Sequence, residues 1–293
     1  MKPPSRVVTA AAAALLVGTS LLVCTLLISP LPLLPLLPCL PVVRAPSGAG
    51  YEPSGLAALA DAAAYYATTA TVPQQSRAEI SLSLAVLRRR APIRLLVFGL
   101  GHDSPLWHAL NPGGITVFLE EDPKWYRVVR SQSPHLRAHL VSYRTRLDQA
   151  DRLFESYKQF PSCVPGAGAD SAVSVRANAA CPLALHDLPP EVYEIEWDMI
   201  MVDAPKGYFA SAPGRMAAIW TAAAMARARS GEGATDVFLH DVDRKVEKMY
   251  GEEFLCDRFR VGGTGRLWHF RIPPVTRRGN STTTAGGGER PFC

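Results

Sequence analysis

Residues 93–104, IRLLVFGLGHDS, are the stretch around which the rest of this chain is organised. The apolar run 95–98 has the length of a buried strand, and Gly99 and Gly101 end it in a turn. Asp103 or Ser104 then offers a cap for a following helix. Strand, glycine turn and helix start, in that order, let backbone approach a nucleotide-like ligand closely. The third glycine of the dinucleotide fingerprint is absent, so the segment alone is equally an ordinary strand-turn.

The next stretch adds a second half to the pattern. A turn at 111–114, NPGG, leads into ITVFLE at 115–120, a second buried strand that ends in Glu120, Glu121 and Asp122. An acidic residue about twenty positions past such a turn is where a Rossmann-type site holds ribose hydroxyls. A carboxylate suits the task because it accepts two hydrogen bonds at once. Either Glu120 or Glu121 can serve; Glu120 is preferred because it directly ends the strand. His102 and Asp103 either touch the other end of such a ligand or cap the helix.

Further along, helices are expected at 56–70, 76–87, 123–131, 147–157, 215–229 and 246–254. Ser76 and Glu79 have capping-box spacing at the start of the second. In the third, Trp125, Val128 and Val129 are expected on one side. Strands are expected at 94–99, 115–120, 140–143, 197–202, 237–239 and 265–272, with a surface loop over 161–180. Strands alternating with helices predict a doubly wound, mostly parallel α/β sheet of Rossmann-like type. Ligands bind such sheets at the carboxyl ends of the strands. Four polar clusters fall there: 99–104, 120–122, 203–208 and 240–244.

The 293 residues allow one sizeable core plus appendages. A net charge of +5, with Arg88, Arg89 and Arg90 as one short basic run, gives no basic stripe with interleaved aromatics, which argues against nucleic acid. Lys2 and Arg6 precede a charge-free stretch, and residues 7–29 are long enough to cross a bilayer as a helix. Pro30, Pro32, Pro35, Pro38 and Pro41 then suggest a stiff extended stem. The expected organisation is a cytosolic tail (1–6), a transmembrane signal anchor (7–29), a Pro-rich stem (30–54), a lumenal domain (55–275) and a polar tail (276–293). An oxidising lumen suits the cysteines outside the span. Cys163–Cys181 with Cys256–Cys293 is the simplest of three pairings, and their spacing matches no zinc motif. Asn280 begins a glycosylation acceptor.

The blocks FGLGHDS, FLEED, MVDAPKGYFASAPGRMAAIWTAA, FLHDVDR, EEFLC and GRLWHF, over roughly 90–275, resemble the plant polysaccharide methyltransferases that methylate O-4 of glucuronic acid. That family includes the glucuronoxylan 4-O-methyltransferases and the arabinogalactan O-methyltransferases. The KGYF and RLWHF wording is more like the arabinogalactan branch. The resemblance implies a Rossmann-like S-adenosylmethionine-dependent fold, a type II Golgi membrane protein and a glucuronosylated glycan acceptor. It carries the donor site to Gly99, Gly101 and the Glu120–Glu121 pair.

Methyl transfer to a sugar hydroxyl calls for a base or a metal to help remove the proton. Asp203 or His240 is expected to take it, with Asp241 orienting the histidine or the acceptor. Asp203 and Asp241 could instead hold a divalent cation. The acceptor carboxylate calls for a cation, and Lys206, Arg215, Arg244 and Arg266 flank the active edge. Tyr208, Phe209 and Trp268 are candidates for stacking on sugar faces. Arabinogalactan glycans are the first acceptor expected and glucuronoxylan the second. The rival classes are a non-catalytic Golgi scaffold and a nicotinamide-dependent oxidoreductase.

Overall fold

The computed structural model describes residues 55, 58, 59, 62, 63, 66, 74–165, 173–275 and 292–293. The expected anchor and stem, Cys24, Cys39 and Asn280 lie outside the described residues. Among the described residues no helix is long and apolar enough to cross a membrane.

Seven strands form one sheet: β1 (Arg94–Phe98), β2 (Ile115–Glu120), β3 (Arg137–Leu140), β4 (Met199–Val202), β5 (Thr235–Leu239), β6 (Arg260–Thr264) and β7 (Leu267–Ile272). Their order is β3-β2-β1-β4-β5-β7-β6. The first five run parallel; β7 is antiparallel to both β5 and β6. Helices α1 (Arg77–Arg90), α2 (Ser104–Ala109), α3 (Pro123–Gln132), α4 (Ala150–Ser156), α5 (Pro190–Glu194), α6 (Met216–Arg227) and α7 (Lys245–Tyr250) intervene. This is the Rossmann-like arrangement expected, with a reversed hairpin at one side.

The strand sequences read as continuous apolar runs because both faces are covered. In β1, Leu96 and Phe98 join one core, and Leu95 and Val97 join the other. Helix α6, MAAIWTAAAMAR, lies almost entirely within the first core. Its alanines permit close approach to the sheet, and Trp220, fully buried, donates its indole N–H to the Cys163 carbonyl at 3.0 Å.

Helix α1 begins as its capping box predicts. The Glu79 N–H donates to Ser76 Oγ at 3.3 Å, and the Ser76 N–H donates to Glu79 Oε2 at 2.6 Å. Its last turn carries Arg88, Arg89 and Arg90. Arg90 pairs with the buried Asp236, while Arg94 and Arg229 each reach Asp198 at 2.9 Å. These pairs fasten the amino ends of β1, β4 and β5, opposite the glycine turn, which gives part of the basic run a structural use.

Several boundaries differ from expectation. The third strand is 137–140 and not 140–143. Its exposed, polar edge position hides the apolar signal, although the Val141 N–H still donates to the Glu120 carbonyl at 2.8 Å. Strand β6 was not expected, because RVGGT lacks a strand signature and its pairing with β7 shifts register between Arg260 and Gly262. The helix expected at 147–157 is α only over Ala150–Ser156, with single 3-10 turns on either side. The helix expected at 246–254 ends at Tyr250 and widens into a π-helical turn, Gly251–Cys256. Val128 is exposed, not on the packed side of α3 with Val129.

Both expected disulfides are present: Cys163–Cys181 and Cys256–Cys293. The second, spanning 37 residues, ties the C-terminus to the π-helical turn. Phe292 thereby packs in the core beside Phe254 and Trp220. Cys256→Ser is expected to lower stability by about 3 kcal/mol through the freed loop. Equal denaturation midpoints in urea, with and without the substitution, would remove that contribution.

Candidate active site

The sheet reverses its winding between β1 and β4, and their carboxyl ends form the crevice where such sheets bind ligands. The Asp203 and Ala204 N–H groups both donate to the Phe98 carbonyl, at 3.0 and 2.9 Å. Gly99 has φ +128°, and a Cβ there would lie 3.3 Å from Ala204 Cβ. The turn after β1 therefore packs directly on the turn after β4, and a side chain at position 99 would strain the backbone. At Gly101 a Cβ would meet Asp103 Oδ1 at 2.5 Å. Asp103 does not cap α2 with its side chain; it accepts the Trp107 indole N–H at 2.7 Å. Burial raises its pKa against that hydrogen bond. His102 packs edge-on against Trp125, ring centroids 4.8 Å apart, and its carbonyl accepts the Tyr66 hydroxyl.

Glu120 closes this turn from the β2 side. Its carboxylate accepts the Leu100 N–H at 3.1 Å and the Asp122 N–H at 2.8 Å. Burial and the neighbouring Glu121 charge push its pKa up to about 7. Glu121 accepts the Lys206 N–H at 3.0 Å, which draws in the loop after β4. Lys206 Nζ lies 2.6 Å from Asp122 Oδ2, and this bond, with two backbone N–H groups, holds Asp122 at a pKa of about 2. These hydrogen bonds bring the turns after β1, β2 and β4 together. Two buried hydroxyls there, Ser104 Oγ and Tyr143 Oη, have no hydrogen-bond partner among the described residues. Burial, with the Glu121 and Glu120 charges, raises Tyr143 well above its usual range.

Beside this cradle lies a charged cluster. His240 Nδ1 is 2.8 Å from Asp203 Oδ1, and Gln75 donates its Nε2–H to Asp203 Oδ2 at 2.9 Å. Arg215 Nη2 is 3.2 Å from Asp203 Oδ1 and 2.8 Å from Asp241 Oδ2, and its Nη1–H donates to the His240 carbonyl at 2.8 Å. Arg244 and Arg266 complete the grip on Asp241, at 3.0 and 2.7 Å. Burial opposes ionisation of Asp203, but His240, Arg215 and Gln75 outweigh it and lower its pKa. His240 Nε2 is buried without a hydrogen-bond partner among the described residues, 3.8 Å from Glu79 Oε1.

The expected residues divide by accessibility. Asp203 keeps 22% of its side-chain surface, against 2% for His240 and 4% for Asp241. Arg215, 4% exposed, is neither a solvated first-turn arginine nor an open clamp for an acceptor. It stitches the β4 and β5 loops together. Arg244 and Arg266 keep about a third of their side chains exposed, and Tyr208 is 68% exposed in edge contact with Phe209. Gln75, Glu79 and Tyr143 escaped the sequence reading as site residues. Glu79 had a signal, the capping box, but its second oxygen also accepts the Arg266 N–H at 2.7 Å. Gln75 and Tyr143 stand outside any motif and reach the site only through tertiary packing.

Asp203, His240 and Asp241 each offer a metal-ligating atom within 4.8 Å of the others. A donor set of two carboxylates and an imidazole suits a divalent cation. The Arg215 guanidinium, however, bridges the two carboxylates. In this arrangement a cation does not fit unless it expels a guanidinium that backbone carbonyls also hold.

Comparison with known proteins gives the family. Arabinogalactan O-methyltransferase 2 of Arabidopsis thaliana is 59% identical over 209 residues, 71% of this chain and 70% of its own length. Arabinogalactan O-methyltransferase 1 of the same plant is 55% identical over 229 residues, 78% of this chain and 76% of its own. Glucuronoxylan 4-O-methyltransferase 1 is 46% identical over 235 residues, 80% of this chain and 79% of its own. The family model described as IRX15/IRX15L/GXM matches residues 78–270, which hold all seven strands except the last two residues of β7 and every charged residue of the crevice. On the sequence blocks, the sheet and these matches together, the chain belongs to the IRX15/IRX15L/GXM family.

Proposed function

We propose that this protein transfers a methyl group from S-adenosylmethionine to O-4 of glucuronic acid residues on arabinogalactan glycans. The observation that carries the reading is the convergence of the turns that hold Gly99, Glu120 and Asp203 at the switch point, in a chain more than half identical, over the aligned residues, to two arabinogalactan O-methyltransferases. The apolar stretch 7–29 and the proline-rich stem support a type II Golgi anchor with the domain in the lumen.

When bound, S-adenosylmethionine supplies an electrophilic methyl group on a sulfonium. Backbone at Gly99 and Gly101 permits its close approach, and the Glu120–Glu121 pair accepts its ribose hydroxyls through lone pairs left after the backbone bonds. Asp203, the accessible member of its cluster, accepts the hydrogen bond of the attacking hydroxyl. It takes the hydroxyl proton as the oxygen–methyl bond forms and the sulfur–methyl bond breaks, with S-adenosylhomocysteine as the leaving group, and releases the proton to water afterwards. His240 fixes one Asp203 oxygen and Gln75 the other, so the carboxylate is aimed before the acceptor arrives. Arg244 and Arg266 offer exposed N–H groups to the uronate carboxylate.

The test is incubation of the full chain in detergent with labelled donor and defined glucuronosylated oligosaccharides of arabinogalactan and xylan type. The expected product is the 4-O-methyl glucuronoside, with faster turnover on the arabinogalactan acceptor. Transfer to xylan alone would move the acceptor assignment. Donor binding with no transfer to any acceptor would favour a scaffold.

Donor binding should also depend on pH. Ribose hydroxyls donate to an ionised carboxylate, and Glu120 loses its proton only near pH 7. Affinity for S-adenosylhomocysteine is expected to rise by up to about tenfold from pH 6 to pH 8 and to flatten above. The same raised pKa makes ionisation oppose folding, so stability falls as pH rises from the usual carboxylate range to about 7. Glu120→Gln should abolish both slopes in calorimetric and thermal titrations; slopes that persist would assign them elsewhere.

A further inference from the structure

The β6–β7 hairpin carries a feature the crevice does not use. Residues 260–265 and Trp268 line an open trough of about 610 Å³ at the β6 edge of the sheet. In it the Arg260 guanidinium lies over the Trp268 ring, 4.4 Å from its centroid. The side chain of Arg260 is 37% exposed, and its one carboxylate neighbour among the described residues is the half-exposed Asp257 at 3.5 Å. Glycines keep the trough open. A Cβ at Gly263 would stand 3.0 Å from Trp268 Cδ1 and cover the indole edge, while one at Gly262 meets nothing within 4 Å among the described residues.

The trough adjoins the reacting edge. Trp268 pairs with Leu239, the residue before His240. The hairpin turn is locked to the cluster by Arg266, whose N–H donates to Glu79 and whose side chain holds Asp241. Gly265 makes that turn at φ +53°, where a Cβ would meet Glu79 Oε1 at 2.7 Å.

We propose that this trough is a second glycan subsite that binds an acidic sugar remote from the one being methylated. Resting on the acceptor class proposed above, it extends the acceptor path outward along the hairpin. Trp268 holds the Arg260 fork flat, so a uronate carboxylate meets two parallel N–H groups with little further ordering. The neighbouring sugar ring lies over glycine backbone, where no side chain obstructs it. The subsite would favour long, repeatedly glucuronosylated glycans over single units.

The probes are a long glucuronic-acid-containing oligosaccharide, its carboxyl-reduced form and a short single-glucuronosyl acceptor. Binding to the full chain is measured by calorimetry without donor, so it does not depend on methyl transfer. Arg260→Gln and Gly262→Glu are each expected to weaken binding of the long acidic probe about tenfold. Gly262→Gln, which covers the glycine floor without adding charge, should weaken binding less than Gly262→Glu does. The carboxyl-reduced form should bind the parent about as weakly as the acidic form binds Arg260→Gln. In turnover, the two damaging variants should raise KM for the long acceptor and leave kcat, and KM for the short one, unchanged. Unaltered binding in both variants, or equal affinity for acidic and reduced probes, would overturn the subsite. Binding losses without methylation of any acceptor would instead leave the subsite standing and overturn the methyltransferase reading.

Discussion

Asp203→Asn is expected to lower kcat about 10³-fold while affinity for S-adenosylhomocysteine stays within about twofold. The substitution keeps the shape of the side chain and removes its capacity to take a proton. It leaves Gly99, Leu100 and Glu120, the proposed donor cradle, with the same backbone partners. His240→Gln should cost less, about 10–100-fold, because His240 acts through Asp203 and is buried behind it. Labelled-donor turnover beside calorimetric donor binding separates the two effects. Turnover within tenfold of the parent in Asp203→Asn would remove this carboxylate from proton transfer.

Arg215→Ala should give the largest loss of stability among the site substitutions, about 3–5 kcal/mol. The guanidinium is buried and bridges Asp203 and Asp241, and it donates to the His240 carbonyl besides. Its removal leaves two carboxylates close together, with Arg244 and Arg266 to balance only one of them. For a domain of this size the melting temperature should fall by on the order of 10 °C. Arg215→Lys restores the charge but not the planar fork, so it should recover only part of the loss. A melting temperature within about 2 °C of the parent in Arg215→Ala would show that the bridge contributes little.

The two sides of the crevice were unequally legible. The proposed donor side lies on two consecutive strands, and its signals are local: a strand, two glycines, and carboxylates at a fixed distance along the chain. Sequence left three disulfide pairings open, and the structure has the simplest, which closes the two short loops. The proposed acceptor side was legible in its residue types only. Asp203, His240, Asp241, Arg215, Arg244 and Arg266 do converge, but Asp241 proved to be the anchor for three arginines. Strand β6 was missed because its glycines carry no alternation, and the same glycines keep the hairpin trough open.

By itself the sequence determined the α/β alternation, the sheet-end position of its polar clusters and the family, because periodicity, turn residues and motif spacing are properties of neighbours along the chain. Only the tertiary structure decided which charges face one another. Arg215 could read as a surface residue from its position before a helix, yet it is enclosed because the loops after β4 and β5 close over it. Gln75 and Glu79 belong to the site because α1 packs its first turn against strand ends more than a hundred residues away. Whether a carboxylate acts as a base or as an anchor follows from burial and from the cations that surround it, and both are set across the fold, not along the chain.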